Sequence, residues 1–385
     1  MTDDELMPIG VFARRSGLTS SALRFYDDSG LLRPAEVDPA SGYRYYTADQ
    51  LVRATALRRL REIAMPLTGV EAVLDAGPED AARLVDEHVA RILGDAAAAR
   101  RTAVALRSSL GEVPGPPVAT LRGPVLADAV EQVLTATARE PDLPVLRGLR
   151  VEVDRQSLTL TATDRYRLST RTLVPSEPPA TTWAGTVDGE ELRTAVAEVR
   201  RSALVRVEAT ARGLWLRMEG RQDQYCRALT EEFPDFRAML AALPEVTTRV
   251  TLPQQPFLRA LEEHSGERLA LRVPGHGTEV RVSGDGTEVR PADDGPRVRV
   301  GGDERSGTRL PATVTGAGCD LWFELTTLYP AVSTAIGPDV MLDLRGPDQP
   351  VTIRSADRGD LTTLAMPIHP GTPAEHRPRR RGAPS

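Results

Sequence analysis

Residues 78–111 read PEDAARLVDEHVARILGDAAAARRTAVALRSSLG, and the spacing of their apolar side chains predicts one long helix. Pro78 suits the first helical turn, and Gly111, followed by a proline-rich stretch, ends the helix. The apolar residues recur at alternating intervals of three and four, as along one seam of a coiled coil. The seam consists of Ala82, Val85, Val89, Ile92, Ala96, Ala99, Ala103, Leu106 and Leu110.

This seam predicts a homodimer formed through residues 78–111. Four of its members are alanines, which bury little apolar area, so the helix alone would be marginally stable. Close packing against the same helix of a second copy of the chain would stabilise it. The alternative is a helix packed on its own domain, which is a common use of an apolar stripe.

Composition narrows the function classes. The chain has 385 residues, enough for about two to four domains, and a formal net charge of -6. No apolar run approaches membrane-spanning length and residues 1–5 do not resemble a signal peptide, so we expect a cytoplasmic, nucleoid-associated protein without a membrane partner. Its two cysteines and five histidines show no ligand spacing, so we expect no metal and no cofactor.

Residues 7–46 have the pattern of a winged helix-turn-helix. Helical spacing from Met7 to Leu18 is interrupted at Gly17, which supplies the turn, and Thr19 caps a second helix. In that helix we expect Leu23 and Phe25 to face inward. Outward positions are then left to Ser20, Ser21, Arg24 and Tyr26. The stretch PASGYRYY at 39–46 predicts a hairpin that serves as a wing, and a further helix follows from residue 47.

Three stretches resemble the MerR family of transcription regulators: IGVFARRSGLTSSALRFYDDSGLL, GYRYYTADQL and LRRLREIAMPLTGVEAVL. The resemblance covers about residues 7–76 and implies an all-α winged helix-turn-helix domain at 1–76, followed by a dimerisation helix at 77–112. It also implies that the second helix enters the major groove of promoter DNA and that the wing grips the backbone.

By matching motif positions, Ser20, Ser21 and Arg24 are candidates for groove contacts. Tyr26, Tyr43 and Arg44 are candidates for phosphate contacts. For the aromatic residues the alternative is ordinary core packing, above all for Tyr45 and Tyr46. Ser21 and Ala22 stand where the family more often has larger polar residues, so the base sequence of the operator does not follow from the resemblance.

After the linker Val113–Pro117 the pattern changes to helices followed by strands. A predicted helix at 126–138 precedes strands at 149–153 and 158–163, and a helix at 192–199 precedes strands at 204–209 and 213–219. One unit therefore occurs twice, which predicts a pseudo-symmetric α+β domain.

Five stretches of this half resemble a bacterial DNA polymerase III beta sliding clamp: LPVLRGLRVEVDRQSLTLTATDRYRLSTRTL, LTEEFPDFRAML, LPQQPFLRAL, WFELTTLYPAVSTAIGPDVMLDL and TTLAMPI. The resemblance implies two α+β domains, at 113–246 for the clamp's middle domain and at 247–370 for its last, with a basic tail at 371–385. The MerR-like module stands in place of the clamp's first domain. The predicted fold class is therefore mixed: all-α, then two sliding-clamp-like α+β domains.

A role in encircling DNA is disfavoured. The predicted helices at 126–140 and 256–267 carry more acidic than basic residues, and the helix at 325–336 carries no charge. An acidic inner face would repel duplex DNA. Two copies of a two-domain chain also supply four repeating units where the ring of a clamp has six.

The resemblance implies instead a peptide pocket between the two clamp-like domains. Its residues are mostly apolar with a few polar guides, as expected for a peptide or cyclic-peptide site. They are Leu146, Thr163, Arg165, Tyr166, Arg167, Leu168, Pro234, Met239, Leu364, Met366, Pro367 and Ile368. Arg165, Ala238, Glu324 and Thr327 depart from the residues common in clamps. The alternative is that the apolar members are interdomain core.

These patterns favour a non-enzymatic, homodimeric promoter-binding regulator whose clamp-like module senses a peptide, a protein tail or a clamp-directed antibiotic. RNA polymerase is a further candidate partner. The alternatives are a replication or repair accessory and a resistance protein that sequesters a clamp-binding drug. We see no nucleophile–base pair, phosphate loop or metal cluster that would indicate an enzyme.

Overall fold

The computed structural model describes residues 6–109, 117–138, 140, 142–179, 181–275, 297–301, 307–356 and 359–369. The chain divides into two compact units between residues 111 and 112. The finer domain boundaries remain predictions. The predicted tail at 371–385 and the predicted end of the long helix at residue 111 lie outside the described residues.

The first unit is helical with a small sheet. Its helices are α1 (Ile9–Ser16), α2 (Ser20–Asp28), α3 (Gln50–Glu62), α4 (Leu67–Asp75) and α5 (Pro78–Ser109). Its strands β1 (Met7–Pro8), β2 (Glu36–Val37) and β3 (Arg44–Tyr46) form an antiparallel sheet in the order β1-β3-β2. The core joins helices and sheet, because Phe12 of α1 stacks on Tyr46 of β3 with ring centroids 4.5 Å apart.

The turn between α1 and α2 forms as the sequence predicts. Gly17 ends α1 with a φ of 71°, in the left-handed region that glycine enters at low cost. The hydroxyl of Thr19 then accepts a hydrogen bond from the N–H of Ala22 at 3.1 Å, which caps α2.

The first turns of helix α5 pack on its own unit. Val85 packs against the core, and the buried His88 places Nε2 3.0 Å from the carbonyl oxygen of Ile63. Farther along, Ile92 and Leu106 are exposed to 38% and 55%. The first turns therefore match the alternative of packing on the same domain, while these two later seam residues are exposed in the single chain.

The second unit combines helices with long antiparallel sheets. Its helices are α6 (Gly123–Leu134), a 3₁₀ turn (Pro144–Arg147), α7 (Gly189–Arg200), α8 (Phe236–Ala241), α9 (Gln254–Glu262) and α10 (Leu325–Ser333). Its strands are β4 (Pro117–Arg122), β5 (Gly148–Val153), β6 (Leu158–Thr163), β7 (Arg167–Leu173), β8 (Trp183–Asp188), β9 (Leu204–Thr210), β10 (Gly213–Met218), β11 (Gln224–Leu229), β12 (Thr248–Pro253), β13 (Arg268–Val273), β14 (Arg297–Gly301), β15 (Thr308–Pro311), β16 (Thr313–Gly316), β17 (Cys319–Glu324), β18 (Asp339–Leu344), β19 (Val351–Ser355) and β20 (Leu361–Ala365).

One sheet runs through both halves of this unit. Its order is β16-β12-β18-β19-β20-β7-β6-β5-β8-β11-β10-β9-β4, and a separate sheet has the order β15-β14-β13-β17. The halves meet where β7 pairs with β20, with Leu168 opposite Leu364. Two main apolar cores lie one in each half, the first beneath α6 and α7 and the second beneath α9 and α10.

Candidate functional site

Helix α2 presents a mixed polar and aromatic face. Ser21, Arg24, Phe25 and Asp28 are exposed and follow the i, i+3, i+4, i+7 spacing of one helix side. The side chain of Leu23 is fully buried on the opposite side. Ser20, at the first helical position, is half-buried.

The predicted orientation of the two aromatic residues in α2 is wrong. Tyr26 is buried, with 8% of its surface exposed, and Phe25 is 51% exposed. The reason is helix geometry, because Tyr26 lies three residues after the buried Leu23 and shares its side, whereas Phe25 does not. The spacing from Leu23 could have revealed this.

Ion pairs connect the wing to α2. The Nε of Arg44 donates a hydrogen bond to Oδ2 of Asp27 at 2.7 Å, and Nη2 lies 3.7 Å from Oδ1 of Asp28. The hydrogen bond to Asp27 raises the pKa of Arg44. Beside it Tyr43 is 44% exposed, while Tyr46 is fully buried, as the core-packing alternative expected for Tyr46.

In the second unit, side-chain hydrogen bonds join several residues of the turn between β6 and β7. One carboxylate oxygen of Asp164 accepts hydrogen bonds from the backbone N–H groups of Tyr166 and Arg167, with N···O distances of 3.1 and 2.7 Å. The hydroxyl of Thr163 donates to the carbonyl oxygen of Arg167 at 2.7 Å. Most of the predicted polar guides therefore belong to one turn.

Apolar predicted residues form a floor beside this turn. Leu146, Leu168 and Leu364 are buried in one cluster with Phe233 and Phe236. The two phenylalanines were not among the predicted site residues, although both lie in the quoted FPDFR motif. The burial of the three leucines agrees with the interdomain-core alternative for them.

Other predicted residues remain accessible around this floor. Tyr166 and Met239 are 49% and 41% exposed, and Pro234 is exposed. Met366, Pro367 and Ile368 are half-buried. The N–H of Met366 donates to the carbonyl oxygen of Tyr166 at 2.8 Å, which brings the last strand to the β6–β7 turn.

Comparison with known proteins agrees with both halves. Residues 7–77 match the MerR HTH family of regulatory proteins, and residues 120–184 match the central domain of the DNA polymerase III beta subunit. The chain carries a MerR helix-turn-helix domain followed by beta-clamp-like domains. This agrees with the mixed fold class predicted from the sequence.

Individual relatives match one half each. The multidrug-efflux transporter 1 regulator of Bacillus subtilis is 36% identical over 72 residues, which are 19% of this chain and 26% of the relative. The beta sliding clamp homolog GriR of Streptomyces muensis is 30% identical over 123 residues, which are 31% of this chain and 33% of the relative. The chain thus spans a third or less of the length of these relatives.

Solved clamps share the fold of the second half. A DNA polymerase sliding clamp from Pseudomonas aeruginosa bound to griselimycin has a TM-score of 0.55 and 14% identity, with 67% of each chain covered. At this identity the similarity shows the fold alone.

Helix α7 of the clamp-like half holds its arginines in ion pairs. Arg200 of α7 bridges Asp128 and Glu131 of α6, with Nη2 2.7 Å from the Glu131 carboxylate. Arg201 lies 3.1 Å from Glu198. Because phosphate neutralisation supplies most non-specific DNA affinity, a face on which these carboxylates balance the charge of the arginines is poorly suited to binding duplex DNA.

Within the described ranges no group of three or more His, Cys, Asp and Glu side chains could hold a metal ion. None of the helices described is long and apolar enough to cross a membrane.

Proposed function

We propose that this chain is a homodimeric transcription regulator that binds promoter DNA through its MerR domain and an effector through its clamp-like domains. The observation that carries the proposal is a contrast within the clamp-like half. The β6–β7 turn and its apolar floor offer a ligand site, whereas the arginines of α7 are paired with carboxylates of α6 and α7. A module of this kind is suited to binding a ligand and poorly suited to holding DNA.

The exposed face of α2 supports the DNA-binding role. Ser21 and Arg24 can reach base edges or phosphates, and the exposed Phe25 on the same side of the helix offers an apolar contact. On the wing, Tyr43 is available for backbone contacts, and Arg44 retains an exposed part of its side chain despite its pairing with Asp27. A similar regulator in Bacillus subtilis is named for control of a multidrug-efflux transporter.

The clamp-like half supports a peptide-like effector. Exposed Tyr166, Pro234 and Met239 surround an apolar cluster, the chemistry that suits aliphatic and aromatic side chains of a peptide. A clamp of the same fold is bound to griselimycin. The candidate effectors are therefore a linear peptide, a protein tail and a clamp-directed antibiotic.

Genome-wide footprinting of the parent and of Arg24→Ala tests the proposed role. Discrete promoter sites that are lost in Arg24→Ala support a regulator. Diffuse occupancy that follows replication would support the replication accessory instead. An absence of any occupancy, together with tight binding of a clamp-directed peptide in titration calorimetry, would favour sequestration of a drug.

A further inference from the structure

We propose that Arg165 makes the ligand site selective for a peptide that carries a carboxylate. The inference rests on the proposed function, since it names the class of ligand for the same site. Its starting point is a backbone conformation, a φ of 76° at Arg165.

That conformation is one that glycine adopts easily and a side-chain-bearing residue rarely does. The surrounding turn imposes it. The N–H of Arg165 donates to the hydroxyl of Thr163 at 3.3 Å, and the carboxylate of Asp164 accepts from the two N–H groups that follow Arg165. An arginine therefore occupies this position in spite of backbone strain.

Folding stability does not explain the arginine. Its guanidinium lies 3.6 Å from the Glu140 carboxylate, and the two side chains are 56% and 39% exposed. An ion pair this exposed contributes little to stability, because water and salt screen it.

The neighbouring Arg167 is held more firmly. Arg167 is 11% exposed and donates from Nε and Nη2 to Asp164 at 2.9 and 2.7 Å. Arg165 can therefore exchange its carboxylate partner at lower cost than Arg167.

The position of Arg165 also suits a ligand contact. The next residue, Tyr166, is exposed, and its carbonyl oxygen accepts a hydrogen bond from the N–H of Met366. Leu168 lies in the apolar floor. A peptide whose apolar side chains pack on the exposed Tyr166 would place an acidic side chain within reach of Arg165, which would release Glu140.

The experiment uses two short peptides with the same aliphatic and aromatic residues, one with aspartate and one with asparagine at the same place. Their dissociation constants are measured by fluorescence anisotropy with the full-length parent, Arg165→Gly and Glu140→Gln. The parent should prefer the aspartate peptide by about two- to fivefold at low salt. Glu140→Gln should increase that ratio, because the competing carboxylate is removed.

Arg165→Gly should bring the ratio to about one and raise the melting temperature, because glycine relieves the strain. A parent that binds both peptides equally, or an unchanged ratio in Arg165→Gly, would overturn the selectivity while leaving the proposed site intact. Failure of the parent to bind either peptide would overturn the peptide site itself and the inference with it.

Discussion

Adjacent aromatic residues in α2 have opposite surroundings, which gives a matched test at the scale of single residues. Tyr26→Ala removes a buried ring and should lower the free energy of unfolding of the first unit by about 3 kcal/mol. Phe25→Ala removes an exposed ring and should change it by less than about 0.5 kcal/mol. Urea unfolding of both variants checks this, and equal losses would contradict the orientation of α2.

A buried carboxylate at the start of α7 predicts a dependence of stability on pH. Asp188 is 4% exposed, and its carboxylate accepts hydrogen bonds from the backbone N–H groups of Glu190 and Glu191. The Nη2 of Arg227 donates a further hydrogen bond to this carboxylate at 2.8 Å. Burial raises the pKa of Asp188, but these hydrogen bonds outweigh it, so the net pKa is lowered. Its stabilisation is therefore complete above the unfolded pKa of about 3.9 and is lost as pH falls through the lower folded value.

Asp188→Asn should keep a helix cap but lose the charge, which should cost about 1–2 kcal/mol at pH 7. The difference between parent and variant in the free energy of unfolding should shrink below about pH 4. Denaturant titrations from pH 7 to pH 3 measure it. A difference that stays constant over that range would show that the charge of Asp188 does not stabilise the fold.

At the scale of elements, α5 carries the proposed dimer interface. Val89→Asp with Leu106→Asp places two carboxylates in the seam, where burial of each would cost several kcal/mol, so we expect a monomer that fails to bind the full promoter site. Ala98→Asp with Ala105→Asp places the same charges on the far side of the helix and should leave the dimer intact. Light scattering distinguishes these outcomes. A dimer in the seam variant would move the interface elsewhere.

Elements governed by local spacing were predictable from the sequence. The start of α5 follows from Pro78 and the turn between α1 and α2 from Gly17 and Thr19, because these signals act within a few residues. Helix α6 was predicted at 126–138 and lies at Gly123–Leu134, so it begins and ends a few residues earlier than predicted, with Pro124 in its first turn.

Features that depend on distant contacts were harder to predict. The pairing of β7 with β20 joins residues far apart in the chain, and no periodicity within either strand specifies it. The ion pair between Arg44 and Asp27 and the packing of Phe233 and Phe236 on the three leucines likewise arise only in the folded chain. The resemblance to clamps indicated which residues to consider as a candidate site, but the proposed role of Arg165 rests on its backbone conformation in the folded chain.

At the scale of the whole molecule, the clamp-like domains should not enclose DNA. Protein bound to a promoter site should therefore dissociate at the same rate from a linear fragment and from a closed circle when challenged with competitor DNA. The physical reason is that contact rests on the MerR domain rather than on a ring. Gel filtration of the two complexes measures how much protein remains bound to each DNA. Protein that stays on the circle but leaves the linear fragment would contradict this account.

In the proposed regulator, ligand binding in the clamp-like half changes DNA binding by the MerR half. Such coupling requires the ligand to bind the free and DNA-bound states with different affinity. The exposed Met239 offers a variant that alters the site without opening a buried core, so Met239→Asp is the control. The most direct measurement is a fluorescence-anisotropy titration of labelled promoter DNA with and without saturating clamp-binding peptide. We expect the peptide to shift the DNA dissociation constant of the parent by about fivefold or more, and that of Met239→Asp by much less. The same dissociation constant for the parent with and without bound peptide would contradict the claim.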